Sequence, residues 1–279
     1  MPVIKKILFP VDFSERSIGA ARYVEALAGR FNAELMLLHV VTDGTHTLAE
    51  MLEPARREQL DSFLKEELKY IQTQRVCIVG DDLAASIVET ARSWQPDLVM
   101  MPTHGLGFYR RLLLGSVTAK VLHDWEGPVW TDVHSETAPE LEQITVRRIL
   151  CAIGLDANSP CVFSWGTFLA REYGAELAIV HAVPTPEASV PVKYLDEEYA
   201  AALAVEARKR IEALESASGL EARILVERGE PAAAVSKVAK DFGADVIVIG
   251  RHSTSGLAAH LKQNAYAILR DSPCPVISV

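Results

Sequence analysis

The chain has 279 residues, the length of about two ordinary domains, and each half is long enough to bury a core of its own. Hydrophobic residues make up 49% of the sequence and charged residues 23%, which excludes a disordered or fibrous protein. The formal net charge of -9 repels a polyphosphate backbone, so we expect no nucleic-acid partner.

The first half, read in chain order, alternates short apolar runs with longer segments whose apolar residues recur three and four positions apart. Strands are predicted at 6–11, 33–41, 74–79, 97–102 and 128–133. Helices are predicted at 14–31, 47–71, 82–95 and from about 116 to 123. This alternation is typical of βαβ units and a parallel sheet.

The second half repeats the first. Residues 5–41 align with residues 147–183 without a gap, which places His39 opposite His181. Strands of the second copy are predicted at 148–153, 175–183, 222–227, 245–250 and 275–279. The repeat predicts one domain at 1–137, a polar linker at 138–145 and a second domain at 146–279.

The predicted fold class is α/β, with two tandem doubly wound domains that each contain a five-stranded parallel sheet. Such sheets bind ligands beyond the carboxyl ends of their strands, where the strand order switches. In the first half three segments should meet there, namely 10–14, 38–41 and the loop that follows the fourth strand.

That loop contains the features of a phosphate site. Gly105 and Gly107 allow the backbone to turn and to approach a ligand closely. Gly115 and Ser116 open a helix, where free N–H groups favour an anion, and Ser116 suits the N-cap position. A turn and a helix cap would explain the same residues, so the loop alone leaves both interpretations open.

Four segments of the chain resemble the universal stress protein family: KKILFPVDFSE, LLHVV, PTHGLGFYRRLLLGSVTAKVL and the closing PVW. The resemblance covers nearly the whole chain as two tandem copies. It implies Rossmann-like domains of the adenine nucleotide α-hydrolase type, related by a pseudo-two-fold axis. The family's motif is Gly, two residues, Gly, nine residues, then Gly-Ser or Gly-Thr.

The resemblance implies ATP, with or without Mg, as the ligand of the first half. Asp12 takes the place of the family's aspartate after the first strand, and Val40 that of the residue whose backbone reads the adenine. The loop residues that would contact ribose and phosphates are His104, Gly105, Gly115 and Ser116. The residues that would line the pocket are Pro10, Val11, Met101 and Val117.

The chain departs from the motif at its first glycine, which is Pro102 here. Proline has no N–H to donate, so any backbone donor at that point is lost. Its fixed φ is compatible with leaving a strand. We therefore expect lower affinity or an altered nucleotide preference and not a loss of binding.

The second half departs further. Gly154 stands where the aspartate should be, and Ser253 replaces the second glycine. Lys262-Gln263 or Gln263-Asn264 stands in place of Gly-Ser, depending on where a one-residue deletion is placed. Two interpretations follow, a copy kept for packing or a changed pocket for another ligand.

Other candidate residues point less clearly to chemistry. His39 and His181 are more typical of semi-buried histidines than of ligands or bases, and Arg110-Arg111 is more typical of a solvated surface. The sequence contains no Walker loop, no G-x-S-x-G elbow and no H-E-x-x-H motif. We therefore assign no catalytic residue.

Three functions of different kinds remain open at this stage. The first is an ATP-binding regulatory or stress-response protein. The second is a slow ATPase or phosphotransfer enzyme, for which Asp12 is the obvious carboxylate. The third is an interaction scaffold, or a protein that binds another small metabolite.

Targeting signals and cysteines give further expectations. The apolar run after Lys5 and Lys6 is short, and no run of 18 apolar residues follows, so we expect a cytoplasmic protein without a membrane partner. The four cysteines show no C-x-x-C pair and no histidine at metal-ligand spacing, so we expect reduced, mostly buried thiols and no metal site.

The last strands of the two halves carry the expectation for assembly. In the family the last strand commonly pairs with its counterpart across a two-fold axis, so 129–133 and 276–279 should run antiparallel to each other. Further association into a homodimer is left open, and so is the identity of any client protein.

Overall fold

The computed structural model describes residues 2–42, 46–102, 114–132, 141, 144–183, 197–216, 219–251 and 258–279. The chain divides into two compact units, Val3–Thr145 and Val146–Val279. The predicted domain limits and the linker at 138–145 stay predictions.

The first unit is a parallel sheet with helical crossovers. Its elements are β1 Lys6–Pro10, α1 Glu15–Phe31, β2 Glu34–Val41, α2 His46–Ser62, β3 Thr73–Val79, α3 Leu83–Trp94, β4 Leu98–Met101, α4 Ser116–Asp124 and β5 Val129–Thr131. The strand order is β3-β2-β1-β4-β5, and all neighbouring strands are parallel.

The second unit repeats this plan. Its elements are β6 Arg148–Ala152, α5 Ser159–Tyr173, β7 Glu176–Val183, α6 Glu197–Ser216, β8 Arg223–Arg228, α7 Pro231–Phe242, β9 Val246–Ile249, α8 Ala258–Asp271 and β10 Val276–Ser278. Its strands follow the order β10-β9-β6-β7-β8. The predicted fold of two doubly wound five-stranded domains is confirmed.

The core of each unit lies along its central strands. In β1 the side chains of Ile7, Leu8 and Phe9 are fully buried, and β4 is buried over its whole length. Strands that are apolar on both faces are typical of parallel sheets with helices on either side. This burial fixes the carboxyl ends of β1 and β4 next to each other.

One predicted helix is too long. The sequence pattern extends α2 to residue 71, but the helix ends at Ser62 and Leu64 adopts a left-handed φ of 54°. The guanidinium of Arg75 donates to the carbonyls of Leu60 and Phe63 at 3.0 and 3.1 Å. Arg75 therefore donates to carbonyls at the end of the helix, of which that of Leu60 also accepts from the Phe63 N–H at 3.2 Å.

Two expectations on assembly stay predictions, namely the pairing of the last strands and the pseudo-two-fold axis. Within the described residues, no helix is long and apolar enough to span a membrane.

Candidate functional site

The strand order of the first unit places its switch point between β1 and β4. Pro10 of β1 pairs in register with Leu38 of β2, and Leu8 pairs with Val99 of β4. The segments that follow these three strands therefore start side by side. They are the segments from which the sequence predicted a site.

The turn after β1 is built around Asp12. Its Oδ1 accepts hydrogen bonds from the backbone N–H of Ser14 at 3.1 Å, from the Ser14 hydroxyl at 2.5 Å and from the Ser17 hydroxyl at 2.6 Å. Among the described residues no donor contacts Oδ2. One oxygen of Asp12 thus holds the turn and the start of α1, while the other is available.

The charge of Asp12 is stabilised by these contacts. Partial burial raises the pKa of the carboxyl, but the hydrogen bonds from Ser14 and Ser17 outweigh it and leave the pKa below its ordinary value of 3.8. Asp12 is therefore an anion at neutral pH, suited to accept hydrogen bonds from hydroxyl groups.

Phe13, between Asp12 and the start of α1, is strained. Its φ is 61°, in the left-handed region that a bulky side chain rarely adopts. Its ring lies 4.3 Å from the His39 ring and 5.1 Å from the Phe63 ring, measured between centroids. These contacts hold Phe13 in a conformation that nothing in the sequence pattern predicted.

His39 changes the hydrogen bonding at the end of β2. Its Nδ1 lies 2.8 Å from the Val11 carbonyl and must carry the proton, because a carbonyl only accepts. The Val11 N–H donates to the Leu38 carbonyl at 2.8 Å. In a regular parallel pair the next bond would run from the Val40 N–H to the Val11 carbonyl, which here accepts from His39 instead. Burial lowers the pKa of His39 below its ordinary value of 6.5.

Val40 is left with an open main chain as a result. Its N–H and C=O face the β1 side, because Leu38 bonds to β1 while Val41 accepts from Gly80 on the β3 side. Within the described residues neither group has a hydrogen-bonding partner. A donor and an acceptor side by side at a strand end can read the edge of a planar heterocycle.

The predicted lining residues lie around this edge. Pro10 is buried, and Val11, Val40 and Met101 are 6%, 6% and 5% exposed. Val117 is half-buried in the first turn of α4. Their side chains form apolar surface next to the open backbone groups.

The start of α4 differs from the sequence expectation. Ser116 was predicted as the N-cap, but Gly115 is the N-cap and Ser116 is the first residue of the helix, exposed to solvent. Gly115 has φ −57° and ψ 141°, a conformation open to any residue. The backbone therefore does not require glycine here.

A bare cap leaves the helix donors available. Among the described residues no side chain bonds to the N-terminus of α4, and the N–H groups of Ser116, Val117 and Thr118 have no acceptor inside a helix that begins at this point. Together with the helix dipole they favour an anion such as a phosphate. Gly115 itself carries no Cβ beside these donors.

Side-chain contacts hold α4 in place. The Thr118 hydroxyl donates to the Pro102 carbonyl at 3.0 Å, and Lys120 binds the carboxylate of Asp82, the N-cap of α3, at 2.5 Å. Of the remaining predicted contacts, His104 and Gly105 lie outside the described residues. The sequence analysis singled out neither Thr118 nor the two serines that bond to Asp12, although the spacing of Ser14 from Asp12 is that of an Asx turn.

The second unit keeps half of this arrangement. His181 contacts the Ile153 carbonyl at 2.9 Å and Leu155 has a φ of 55°, matching His39 and Phe13. The acidic residue of the turn is Asp156, two positions beyond Gly154; its Oδ1 accepts from the Asn158 N–H and the Ser159 hydroxyl. The turn is therefore conserved in shape but not in the position of its carboxylate.

In the second unit, no helix starts at the positions that align with the start of α4. Helix α8 begins at Ala258, so residues 262–264, which align with the start of α4, lie inside the helix and donate to carbonyls one turn back. Gly250 stands at the position of Pro102 and keeps the first glycine of the motif. A Cβ built there would lie 2.6 Å from Nδ2 of Asn158, which donates to the Val279 carbonyl at 3.1 Å. Asn158 thus occupies the space that the retained glycine leaves.

Arg251 follows Gly250 and is 6% exposed. Its N–H donates to the Val279 carbonyl at 2.8 Å, and burial lowers the pKa of its guanidinium to about 10. The Asn158 side chain and the Arg251 backbone therefore both donate to the Val279 carbonyl, at the carboxyl ends of β9 and β10.

The cysteines agree in part with expectation. Cys77, Cys151 and Cys274 are buried free thiols, whereas Cys161 is exposed. Burial raises the pKa of Cys151 and of Cys274 to about 12, so both remain protonated. No group of three or more metal-binding side chains occurs among the residues that the structure describes.

Comparison with known proteins decides the family. The model of the universal stress protein family matches the chain twice, over residues 4–131 and 145–279. The chain belongs to the universal stress protein family. The two matches coincide with the two units, so this is a tandem member, as the resemblance predicted.

Individual relatives agree with a tandem universal stress protein. A universal stress protein of Mycolicibacterium smegmatis is 24% identical over 272 residues, which cover 91% of this chain and 90% of the relative. One of Methanocaldococcus jannaschii is 31% identical over 138 residues, covering 45% of this chain and 79% of the relative.

A solved structure supports the fold. The crystal structure of a universal stress protein from Archaeoglobus fulgidus superposes with a TM-score of 0.71 at 20% sequence identity. It covers 98% of this chain and 95% of that one.

Proposed function

We propose that this universal stress protein binds one adenine nucleotide, ATP, in its first unit and acts as a regulatory protein of the stress response. One observation carries the proposal: Gly115 caps α4 in a conformation that does not require glycine. Its missing side chain is best explained by a ligand that approaches the helix start.

The rest of the site supplies the contacts that a nucleotide needs. The open N–H and C=O of Val40 suit the edge of adenine, which presents an acceptor beside a donor. The free Oδ2 of Asp12 suits a ribose hydroxyl. The first N–H groups of α4 suit the phosphates.

Mg is proposed only as a companion of the phosphates. Mg²⁺ prefers oxygen ligands and is commonly held by one or two carboxylates together with substrate phosphates. Asp12 Oδ2 is the carboxylate oxygen at this site that the turn leaves available. When bound, the ion would neutralise phosphate charge.

The second unit is proposed to bind no nucleotide. Its helix α8 runs through the positions that would hold phosphates, and Asn158 fills the space beside Gly250. Binding should therefore saturate near one ATP per chain, which calorimetric titration measures directly. Two sites of similar affinity would contradict the proposal.

A pair of variants tests the assignment of the helix start. Gly115→Gln places a side chain in the phosphate position and should abolish most ATP uptake while the fold is retained. Gln263→Gly combined with Asn264→Ser, the matched change in the second unit, should leave the stoichiometry unchanged. Undiminished binding by Gly115→Gln would mean that the glycine serves another task.

The nature of the bound molecule and its fate are measured in the same preparation. Mass spectrometry of small molecules released on denaturation should detect an adenine nucleotide. Free phosphate released during incubation with ATP would instead indicate the slow ATPase. A different bound metabolite would indicate a protein that binds another small molecule.

A further inference from the structure

We propose that Thr118 is a positioning residue for the phosphate end of the nucleotide site. It acts by fixing the start of α4 against the end of β4. The inference rests on the proposed function, because it concerns the same site. Thr118 itself is 3% exposed and, in this role, its side chain does not touch the ligand.

The contact joins the two ends of the glycine loop. The loop leaves the sheet at Pro102 and returns to the described structure at Leu114, just before Gly115. The Thr118 hydroxyl donates to the Pro102 carbonyl at 3.0 Å across a sequence separation of 16 residues. A side-chain hydrogen bond thereby links the residue after β4 directly to the first turn of α4.

The acceptor of this bond directly follows a paired strand. The Met101 carbonyl, one residue earlier, accepts from the Asp132 N–H at 3.2 Å, so β4 is paired up to the residue before Pro102. Proline also fixes its own φ near −65°, which removes one degree of backbone freedom at the acceptor residue.

Thr118 also occupies a special position in the helix. Counting from the Gly115 cap, it is the third helical residue, and its own N–H is one of the three open donors. The residue that anchors the helix therefore carries part of the proposed phosphate site. The ion pair between Lys120 and Asp82 is exposed and contributes less to holding the helix.

The second unit provides an internal comparison. Aligning Pro275 with Pro128 without a gap pairs Ala265 with Thr118. Ala265 is 6% exposed, so the position is buried in both units, but it has no hydroxyl to donate. The hydroxyl occurs in the unit whose helix starts at an open glycine cap and is missing where the helix runs on.

The experiment compares ATP with adenosine in the full chain. Thr118→Val keeps the shape of the side chain and removes the donor, whereas Thr118→Ser keeps the donor. Kd values for both ligands are measured by calorimetry, and the readout is the ratio of the adenosine Kd to the ATP Kd. Partial unfolding scales both Kd values equally, so the ratio remains valid in a destabilised variant.

We expect Thr118→Val to lower this ratio about tenfold, because a displaced helix start weakens phosphate contacts and leaves base contacts intact. Thr118→Ser should restore the ratio to within about a factor of two. Thr167→Val, which changes a threonine that is 6% exposed in the second unit, is the matched control and should leave the ratio unchanged.

The outcomes separate the two proposals. An unchanged ratio in Thr118→Val, or no recovery in Thr118→Ser, would overturn the role of Thr118 while ATP binding by the wild type stands. A wild-type chain that binds neither ATP nor adenosine would overturn the proposed function itself.

Discussion

At the scale of single residues, the two carboxylate oxygens of Asp12 differ in their contacts. Oδ1 accepts three hydrogen bonds within the turn, and Oδ2 faces no donor among the described residues. The bonds to Oδ1 predict that a change at Asp12 will affect the stability of the fold as well as nucleotide binding.

Asp12→Ala should weaken ATP binding by about 1–3 kcal/mol and also lower the free energy of unfolding by about 1–2 kcal/mol. The second effect arises because the Ser17 hydroxyl, on a residue 1% exposed, loses its acceptor. Calorimetry and urea denaturation measure the two effects. Ser17→Ala is the control, since it should reduce stability and leave ATP affinity unchanged.

His39 and His181 predict a pH dependence of stability. Burial lowers the pKa of both imidazoles below 6.5, with Arg56 lowering and Asp12 raising the pKa of His39, and Arg210 lowering that of His181. The folded state therefore binds protons less readily than the unfolded state. This contribution to stability is complete above pH 6.5 and is lost as the pH falls through the lower, folded pKa values.

Urea denaturation at about pH 7.5 and about pH 5.5 measures that loss. A chain with His39→Gln and His181→Gln should lose less stability between the two pH values than the wild type does. An equal loss in the double variant would assign the pH dependence to other groups.

Thr167 predicts a gain in stability. Its hydroxyl is buried in α5 without a hydrogen-bonding partner among the described residues, which costs desolvation energy that nothing offsets. Thr167→Val should raise the free energy of unfolding by about 1 kcal/mol. A melting temperature below that of the wild type would indicate that the hydroxyl has a partner.

At the scale of elements, the N-cap residue of α4 is expected to affect thermal stability and ATP binding in opposite directions. An aspartate at an N-cap accepts from the first helical N–H groups and is the better cap by a few tenths of a kcal/mol relative to glycine. Gly115→Asp should therefore raise thermal stability slightly and weaken ATP binding more than about tenfold, since the carboxylate occupies the donors and repels phosphate. A stability gain without loss of binding would place the phosphates elsewhere.

Elements were predictable where the determinants are local. The alternation of apolar runs located the strands and crossover helices of both units, because each pattern reflects burial of one element against its neighbours. The end of α2 was not predictable in this way, since Arg75 binds its last carbonyls from the next strand. The Gly115 cap was missed because serine is the better cap by intrinsic preference, and only the backbone distinguishes the two positions.

The site was predictable to the same extent. The strand ends located the three segments that the topology brings together, and the resemblance to the family singled out Asp12, Val40 and Gly115 within them. The bond from Thr118 to Pro102 and the left-handed φ of Phe13 depend on contacts between distant segments, so no local pattern indicates them.

At the scale of the whole molecule, one proposed ligand in one of two similar units predicts a one-sided response. Saturating ATP, at about 100 times its Kd, should stabilise the unit that binds it by about 2.7 kcal/mol. Hydrogen exchange measured by mass spectrometry should therefore slow chiefly in peptides from residues 3–145. Equal protection in both units would contradict a single site.

The extension of α8 suggests how one copy of a duplicated domain can be released from its ligand. In α4 the first amides have no acceptor among the described residues, so if the first unit binds ATP as proposed, part of that unit's stability depends on the supply of nucleotide. In α8 the corresponding amides are satisfied by the helix itself. On the same proposal, the second copy would need no ligand for its stability, and the tandem chain would combine one half that responds to ATP with one half that does not.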